Sequence, residues 1–91
     1  MTQPSSSKIL QPLVKTDVDM NNLVVPGFYC TENNDIPANA PTNGYNAAII
    51  VLNGRKNVDI FQIWISQNAG KIFFRRRNSG NWTAWTEWLA M

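Results

Sequence analysis

The chain contains no histidine and a single cysteine, Cys30. One cysteine cannot form an internal disulfide, and structural zinc sites are built from cysteine and histidine. Histidine is also the commonest general base in enzymes. Cys30 follows Tyr29 in a segment that favours a strand, with no base to activate its thiol, so we interpret it as buried and inert. We therefore expect a protein that is not an enzyme and that uses no catalytic residue, metal or cofactor.

Charge is also scarce. Lysine, arginine, aspartate and glutamate make up 15% of the residues, against ~25% in typical soluble domains, and the net charge is +2. This excess is too small to indicate a polyanionic partner from the global charge. Asparagine is frequent instead, and it favours turns because its side chain hydrogen-bonds its own backbone. Low charge with many turn residues is typical of a compact β-rich module.

Long apolar runs are missing. No stretch approaches the ~20 apolar residues of a membrane span, and the N-terminal MTQPSSSK is polar and lacks the apolar region of a signal peptide. We expect no membrane insertion, and a chain that begins in the cytoplasm or is a piece of a longer protein. A 91-residue domain buries only ~60–65% of its unfolded surface. With disulfide and metal excluded, oligomerisation is the remaining way to add stability.

Composition divides the chain into a tail and one domain. Residues 1–16 are expected to be a flexible or extended linker, and residues 17–91 a single knob-like β domain. Thr16 or Asp17 is predicted to cap a short helical turn that reaches Asn21. Residues 32–46 have the composition of a loop, and their length makes them a candidate contact surface.

The rest of the chain predicts strands. Apolar segments separated by short turn signals indicate a mainly β fold, a compact antiparallel meander with one long loop and little helix. The predicted strands are 28–31, 47–52, 58–66, 71–77 and 82–90. Between the second and third, Asn53–Gly54 is the strongest short hairpin signal.

The segment RRRNSGNWTAWTEW, residues 75–88, carries three arginines and three of the four tryptophans. Strand alternation places Ile72, Phe74 and Arg76 on one face. We predict that this face is inward, and that the Arg76 head reaches an indole or the Glu87 carboxylate. Lys71, Phe73, Arg75 and Arg77 share the opposite face, which leaves Arg75 and Arg77 free for a partner.

The four tryptophans are also predicted to divide into a buried pair and an exposed pair. Trp82 and Trp85 are predicted to be core residues, which requires either a bulge between them or the exposure of one, because residues three apart cannot share a face of a regular strand. Trp64 and Trp88 are predicted to be more open.

These residues suggest three kinds of ligand: calcium, single-stranded nucleic acid and carbohydrate. Asp17, Asp19 and Asn21 have the alternate spacing of calcium ligands, but the glycine and distant glutamate of an EF-hand loop are missing, so a self-capping turn is the better interpretation. Lys71, Arg75 and Arg77 beside tryptophan would suit single-stranded nucleic acid, the alternative function, although the chain is barely basic and lacks a recognition motif. Flat aromatics among asparagines suit carbohydrate, which needs little charge.

The order of the motifs resembles the knob domain of R-type pyocin and bacteriophage tail fibres. The segments that carry the resemblance are DVDMNNLVVPGFY, NAPTNGY, AAIIVL, IFQIWIS, IFFRRR and the closing GNWTAWTEW, which together span most of residues 17–88. The chain departs from the family where Met20–Asn21–Asn22 replaces the usual Leu-Asn. The family motif falls on Gly27, Tyr29, Asn39, Pro41, Gln62, Arg76 or its neighbour, Trp82 and Trp85.

The resemblance implies a non-catalytic fibre module and a location in the virion tail. Knobs of this family sit in homotrimeric fibres that attach to bacterial surface glycans, usually lipopolysaccharide, so a homotrimer within a longer fibre is expected and nucleic acid is not. The resemblance also implies that most of the motif residues determine the fold. The residues expected at a glycan contact are Trp64, Arg75, Arg77, Trp88, Asn39, Asn43 and Tyr45.

Overall fold

The computed structural model describes residues 18–31, 36–41, 46–67 and 70–88. They form an antiparallel sheet whose strands are β1 Gly27–Cys30, β2 Ala47–Gly54, β3 Asp59–Ser66, β4 Lys71–Asn78, β5 Asn81–Trp82 and β6 Thr86–Trp88. The first four strands pair in chain order, and β5 and β6 both pair with the outer edge of β4. The predicted antiparallel meander is confirmed. The predicted linker 1–16 lies outside the described residues.

A short N-terminal segment crosses one face of this sheet. It contains a 3-10 turn, Met20–Asn22, which Asp19 caps by accepting a hydrogen bond of 2.8 Å from the backbone N–H of Asn21. The predicted caps Thr16 and Asp17 lie outside the described residues. The backbone of Met20 also donates to the carbonyl of Ala38, so the loop after β1 is held beside the turn. No helix in the described ranges is long and apolar enough to cross a membrane.

The face under this segment, which we call the inner face, holds the core. Met20 packs on it from above, and Trp64 in the central strand β3 is fully buried. The other buried apolar residues of this core are Ala47, Ile49, Val51, Ile60 and Phe73. The prediction that Trp64 is open was therefore wrong. Both faces of β3 are apolar, so strand alternation separates the two sets of residues correctly but does not say which set is covered.

Trp82 and Trp85 contact the core and Trp88 is exposed, but the strand that carries them is interrupted. The predicted last strand is broken at residues 83–85, between β5 and β6. At the break, Thr83 exchanges hydrogen bonds with the backbone of Arg76, at 2.8 Å and 3.1 Å. Trp82 and Trp85 consequently both pack against the core, half-buried. Trp88, beyond the break, is 61% exposed, as predicted for an open position.

The β2–β3 hairpin turns two residues later than predicted. Asn53 and Gly54 belong to β2, and the turn is made by Arg55–Asn57. Arg55 has φ of 38° and Lys56 has φ of 53°. A left-handed backbone is costly for side chains other than glycine, asparagine and aspartate, so these two residues are placed against their intrinsic preference.

Replacing Lys56 with glycine is expected to stabilise the domain by about 1 kcal/mol, because glycine adopts this backbone without strain. Chemical denaturation of the two proteins measures the difference. Lys71→Gly is the control: it removes the same side chain from the start of β4, where glycine weakens a strand. A Lys56→Gly protein less stable than wild type would contradict the expected strain.

Candidate interaction surface

A buried polar group ties the N-terminal segment to the inner face. Gln62 is fully buried in β3. Its Nε2 donates to the carbonyls of Met20 and Leu23 at 2.7 and 2.8 Å, and its Oε1 accepts from Nε of Arg75 at 2.8 Å. One amide therefore binds two backbone carbonyls and the Nε–H of the guanidinium, whose buried Nη2 has no hydrogen-bond partner among the described residues.

Arg75 is the arginine of the triplet that packs inside the domain. It is 5% exposed, and its guanidinium carbon lies 4.0 Å from the ring centroid of Trp82 and 4.7 Å from that of Trp85. Burial lowers the pKa of Arg75 to about 10, while the charge of Asp19 opposes this shift, so the guanidinium remains a cation at neutral pH. The sequence-based assignment was inverted: Arg76 is on the exposed face, and Arg75 fills the role expected of Arg76.

The indoles of Trp82 and Trp85 extend this hydrogen-bond network to the N-terminal segment and to the loop after β1. Trp82 Nε1 donates to the Asn21 carbonyl at 3.3 Å, and Trp85 Nε1 to the Asn39 carbonyl at 2.7 Å. Asn39 Nδ2 donates to Asp19 Oδ1 at 2.7 Å. This hydrogen bond, with that from the Asn21 backbone, holds the pKa of Asp19 below its ordinary value. Trp85 also packs edge-on against Trp64, with ring centroids 6.3 Å apart.

These contacts form one network, the closing tie, whose side chains are Asp19, Asn39, Gln62, Arg75, Trp82 and Trp85. Four motif positions quoted for the tail-fibre resemblance take part in it, along with the arginine next to Arg76. Two others make a local contact: Gly27 lies beside the Tyr29 ring, whose hydroxyl donates to the Val25 carbonyl at 2.6 Å. Pro41 is buried. The tie closes the domain.

The residues predicted to contact a glycan do not form one site. Trp64 and Arg75 are buried, so they are not available to a ligand, and the Asn39 side chain is bound to Asp19. Arg77 and Trp88 belong to opposite faces of the sheet, by their register with Ile60 and Ile72. Asn43 and Tyr45 lie outside the described residues, together with most of the long loop.

Two further predictions are corrected by the strand register. Glu87 pairs with Lys71, at 3.4 Å, and not with Arg76. Of the three cations considered for nucleic acid, Arg75 is buried and Lys71 forms a half-exposed ion pair with Glu87. Cys30 is half-buried, not buried. The residues described include no group of three side chains that could hold a metal.

The opposite face of the sheet is apolar and uncovered by any described residue. Cross-strand register places its side chains in four rows, of which one is Phe28, Ile50, Ile63, Phe74 and Thr86. A second row runs Cys30, Ala48, Ile65, Ile72 and Trp88, and a third Leu52, Phe61 and Arg76. A fourth row, at the hairpin end, runs Gly54, Asp59, Asn78 and Asn81. We call this surface the outer face. The charged residues in its rows are Arg76 and Asp59, both near the β2–β3 hairpin.

The outer face exposes large side chains to solvent. Leu52, Phe74 and Trp88 are 48%, 42% and 61% exposed. A groove of about 820 Å³ runs over Phe61, Ile63 and Phe74 toward Trp88. Apolar groups of this size in contact along one face mark an interaction site.

The sequence contains a signal for this surface that was not used. In β2 and β3 most residues of both parities are apolar, as in AAIIVL and IFQIWI. An antiparallel strand with one solvated face alternates apolar and polar residues, so apolar residues at both parities indicate that both faces become buried.

Comparison with known proteins finds no matching family model, no matching curated protein and no matching solved structure. The resemblance to tail-fibre knobs therefore rests on the ordered motifs alone and stays a prediction.

Proposed function

We propose that this chain is a non-catalytic module of a phage or phage-like tail fibre, whose copies pack together through the outer face and which contributes to attachment to bacterial surface glycans. The observation that carries the assembly part is the apolar outer face. The attachment part is supported by the ordered motifs.

The size of the outer face suits a protein–protein interface. Five strands lie side by side at about 4.8 Å spacing, and the central strands have eight residues at about 3.3 Å each. The face therefore covers roughly 24 by about 26 Å, or about 600 Å² in projection, and side-chain relief adds to this. A standard stable interface buries ~800 Å² per partner.

A second copy of the chain is the occupant that the composition favours. The face is built from aliphatic and aromatic side chains, with Arg76 and Asp59 at one end, so it is matched best by another surface of the same kind. Self-association also supplies the burial that a small single-sheet domain lacks. Three such faces directed toward a common axis would give the homotrimer expected for a fibre.

Phe74→Glu is expected to shift the chain toward monomer, because each copy would bring a carboxylate to the centre of the apolar interface. Native mass spectrometry across a concentration series measures the shift, with at least about a tenfold rise in the dissociation constant expected for a buried charge. Val58→Glu is the matched control: Val58 is 41% exposed, as Phe74 is 42% exposed, but lies in the turn before β3.

A wild-type chain that stays monomeric at all concentrations would contradict packing through this face. So would equal effects of the two glutamates. A dimer lost in Phe74→Glu would keep the interface and overturn the threefold arrangement. A glycan array probed with the fibre that contains this chain tests attachment separately, and no bound glycan would contradict that part.

A further inference from the structure

Cations gather at one end of the sheet, around the β2–β3 hairpin. Arg55 and Lys56 form the turn, and Arg76 and Arg77 lie at the neighbouring end of β4. Asp59 is the carboxylate among them. We call these five residues the hairpin-end cluster, in which four positive charges face one negative charge. At the other end of β4, Lys71 is paired with Glu87.

The single carboxylate of the cluster is already occupied. Arg55 binds Asp59 through two hydrogen bonds, of 2.7 Å from Nε and 2.8 Å from Nη2, and a third reaches Asn78 Oδ1 at 3.2 Å. The bonds from Arg55 hold the pKa of Asp59 below its ordinary value, and the charge of Arg76 acts in the same direction. Within the described part of the chain, the side chains of Lys56, Arg76 and Arg77 have no hydrogen-bond or ion-pair partner. The cluster therefore has spare positive charge and spare donors.

A small pocket lies among the arginines of the cluster, and Lys56 belongs to the adjoining turn without lining the pocket. Its volume is about 190 Å³, and it is lined by Arg55, Asp59, Phe61, Arg76, Arg77 and Asn78. Guanidinium groups present paired N–H donors that match the two oxygens of a phosphate or a carboxylate. The pocket is wide enough for one such group and is open at the surface.

The backbone of the turn gives an independent indication. Arg55 and Lys56 occupy left-handed conformations that asparagine and glycine favour, and Asn53–Gly54 stands just before them. The fold thus carries strain at two cations on an exposed turn. Strain of this kind is concentrated at functional positions, where the side chain matters more than the backbone preference.

We infer that the hairpin-end cluster binds an oxyanion of a surface glycan, a phosphate or a carboxylate on the sugar, with Arg76 and Lys56 as the main cationic contacts. This inference rests on the proposed attachment role and adds the ligand class to it.

Nucleic acid fits the cluster less well than a glycan. Single strands need aromatic side chains on which successive bases stack along a basic groove. The exposed Trp88 is in register with Ile72, four residues and about 13 Å along β4 from Arg76. The cations are also confined to one end, which suits a single anionic substituent.

Binding to the full chain by isothermal titration calorimetry tests the inference. The probes are a phosphorylated oligosaccharide, its enzymatically dephosphorylated form, a uronate-bearing oligosaccharide of the same size and a single-stranded oligonucleotide. We expect one of the two anionic sugars to bind more tightly than the neutral one. The Lys56→Gln/Arg76→Gln variant should weaken that binding by about tenfold or more, since hydrogen bonds between charged groups are lost.

Lys71→Gln is the matched control, because it removes a cation from the opposite end of β4 and should change the affinity by less than about twofold. Lys56→Gly, expected to be more stable than wild type, shows whether affinity is lost from a folded protein. Equal binding of the neutral and anionic sugars overturns the inference, as does an equal loss in Lys71→Gln or tighter binding of the oligonucleotide. If the sugars bind equally while the copies still assemble, the proposed function stands and only the anionic ligand class fails.

Discussion

Trp64→Ala is expected to unfold the domain at room temperature. Trp64 is fully buried in the central strand, in edge-on contact with Trp85 and among the core residues under Met20. Truncating a buried tryptophan costs ~3–5 kcal/mol. Small domains hold only ~5–15 kcal/mol in total, and a 91-residue single-sheet domain belongs at the lower end. Loss of the near-ultraviolet circular dichroism of the wild-type protein would report the change.

Trp88→Ala provides the comparison. The same side chain is removed from a position that is 61% exposed, so the folding free energy of the monomer should change by less than about 1 kcal/mol. Both proteins are measured at concentrations where the chain is monomeric, because Trp88 belongs to the outer face. A Trp64→Ala protein that melts with the wild type would show that the core has been assigned to the wrong face.

Gln62→Leu is expected to lower the free energy of unfolding by about 3–5 kcal/mol, although leucine is apolar and similar in size. It leaves the Leu23 carbonyl and the Arg75 Nε–H without the partner they have in Gln62, and the Met20 carbonyl keeps only its hydrogen bond from the Leu23 N–H. Each buried group left unsatisfied costs about 1–3 kcal/mol, and a charged one costs more. Urea denaturation measures the loss. Gln67→Leu is the matched control, since Gln67 is exposed after β3 and the same replacement there should be nearly neutral.

A double variant of Gln62 and Arg75 tests whether the two side chains act together. If Gln62 acts by satisfying Arg75, the double variant Gln62→Leu/Arg75→Leu should be more stable than the sum of the single changes predicts, by about 1–3 kcal/mol. The second leucine removes the cation that the first left unpaired. Strict additivity would mean that the two side chains stabilise the fold independently and that the closing tie is not one network.

The strands could be predicted from the sequence because their signals are local. Short turns such as the one at Asn78–Asn81 force neighbouring strands to pair, and alternation divides the side chains of β3 and β4 into the correct sets. Residues 53–57 were predicted as the connection between the second and third strands, but the turn falls on Arg55 and Lys56 and not on Asn53–Gly54, against the backbone preference of these residues. Local patterns cannot anticipate a position where the chain breaks the local rule.

The orientation of the sheet could not be predicted in the same way. Ile72, Phe74 and Arg76 are more apolar than Phe73, Arg75 and Arg77, so the composition of β4 indicates the wrong face as the covered one. That choice depends on the Met20 segment, which binds Gln62 across 42 residues of sequence. It determines which arginine meets the indoles, and hence the assignments of Arg75, Arg76 and Trp64. Contacts between distant segments decide the candidate site, whereas near neighbours decide the fold class.

The closing tie also determines when the domain can fold during synthesis. The hydrogen bond from Trp82 to Asn21 joins residues 61 apart, and that from Trp85 to Asn39 joins residues 46 apart. A ribosome that has released only the first four strands has made the buried cation of Arg75 but neither indole that stacks on it. The early chain therefore has an incomplete core and an apolar sheet, and long-range closure of this kind is slow. Newly made copies would meet while their last residues are still emerging, so folding and assembly would compete for the same exposed sheet.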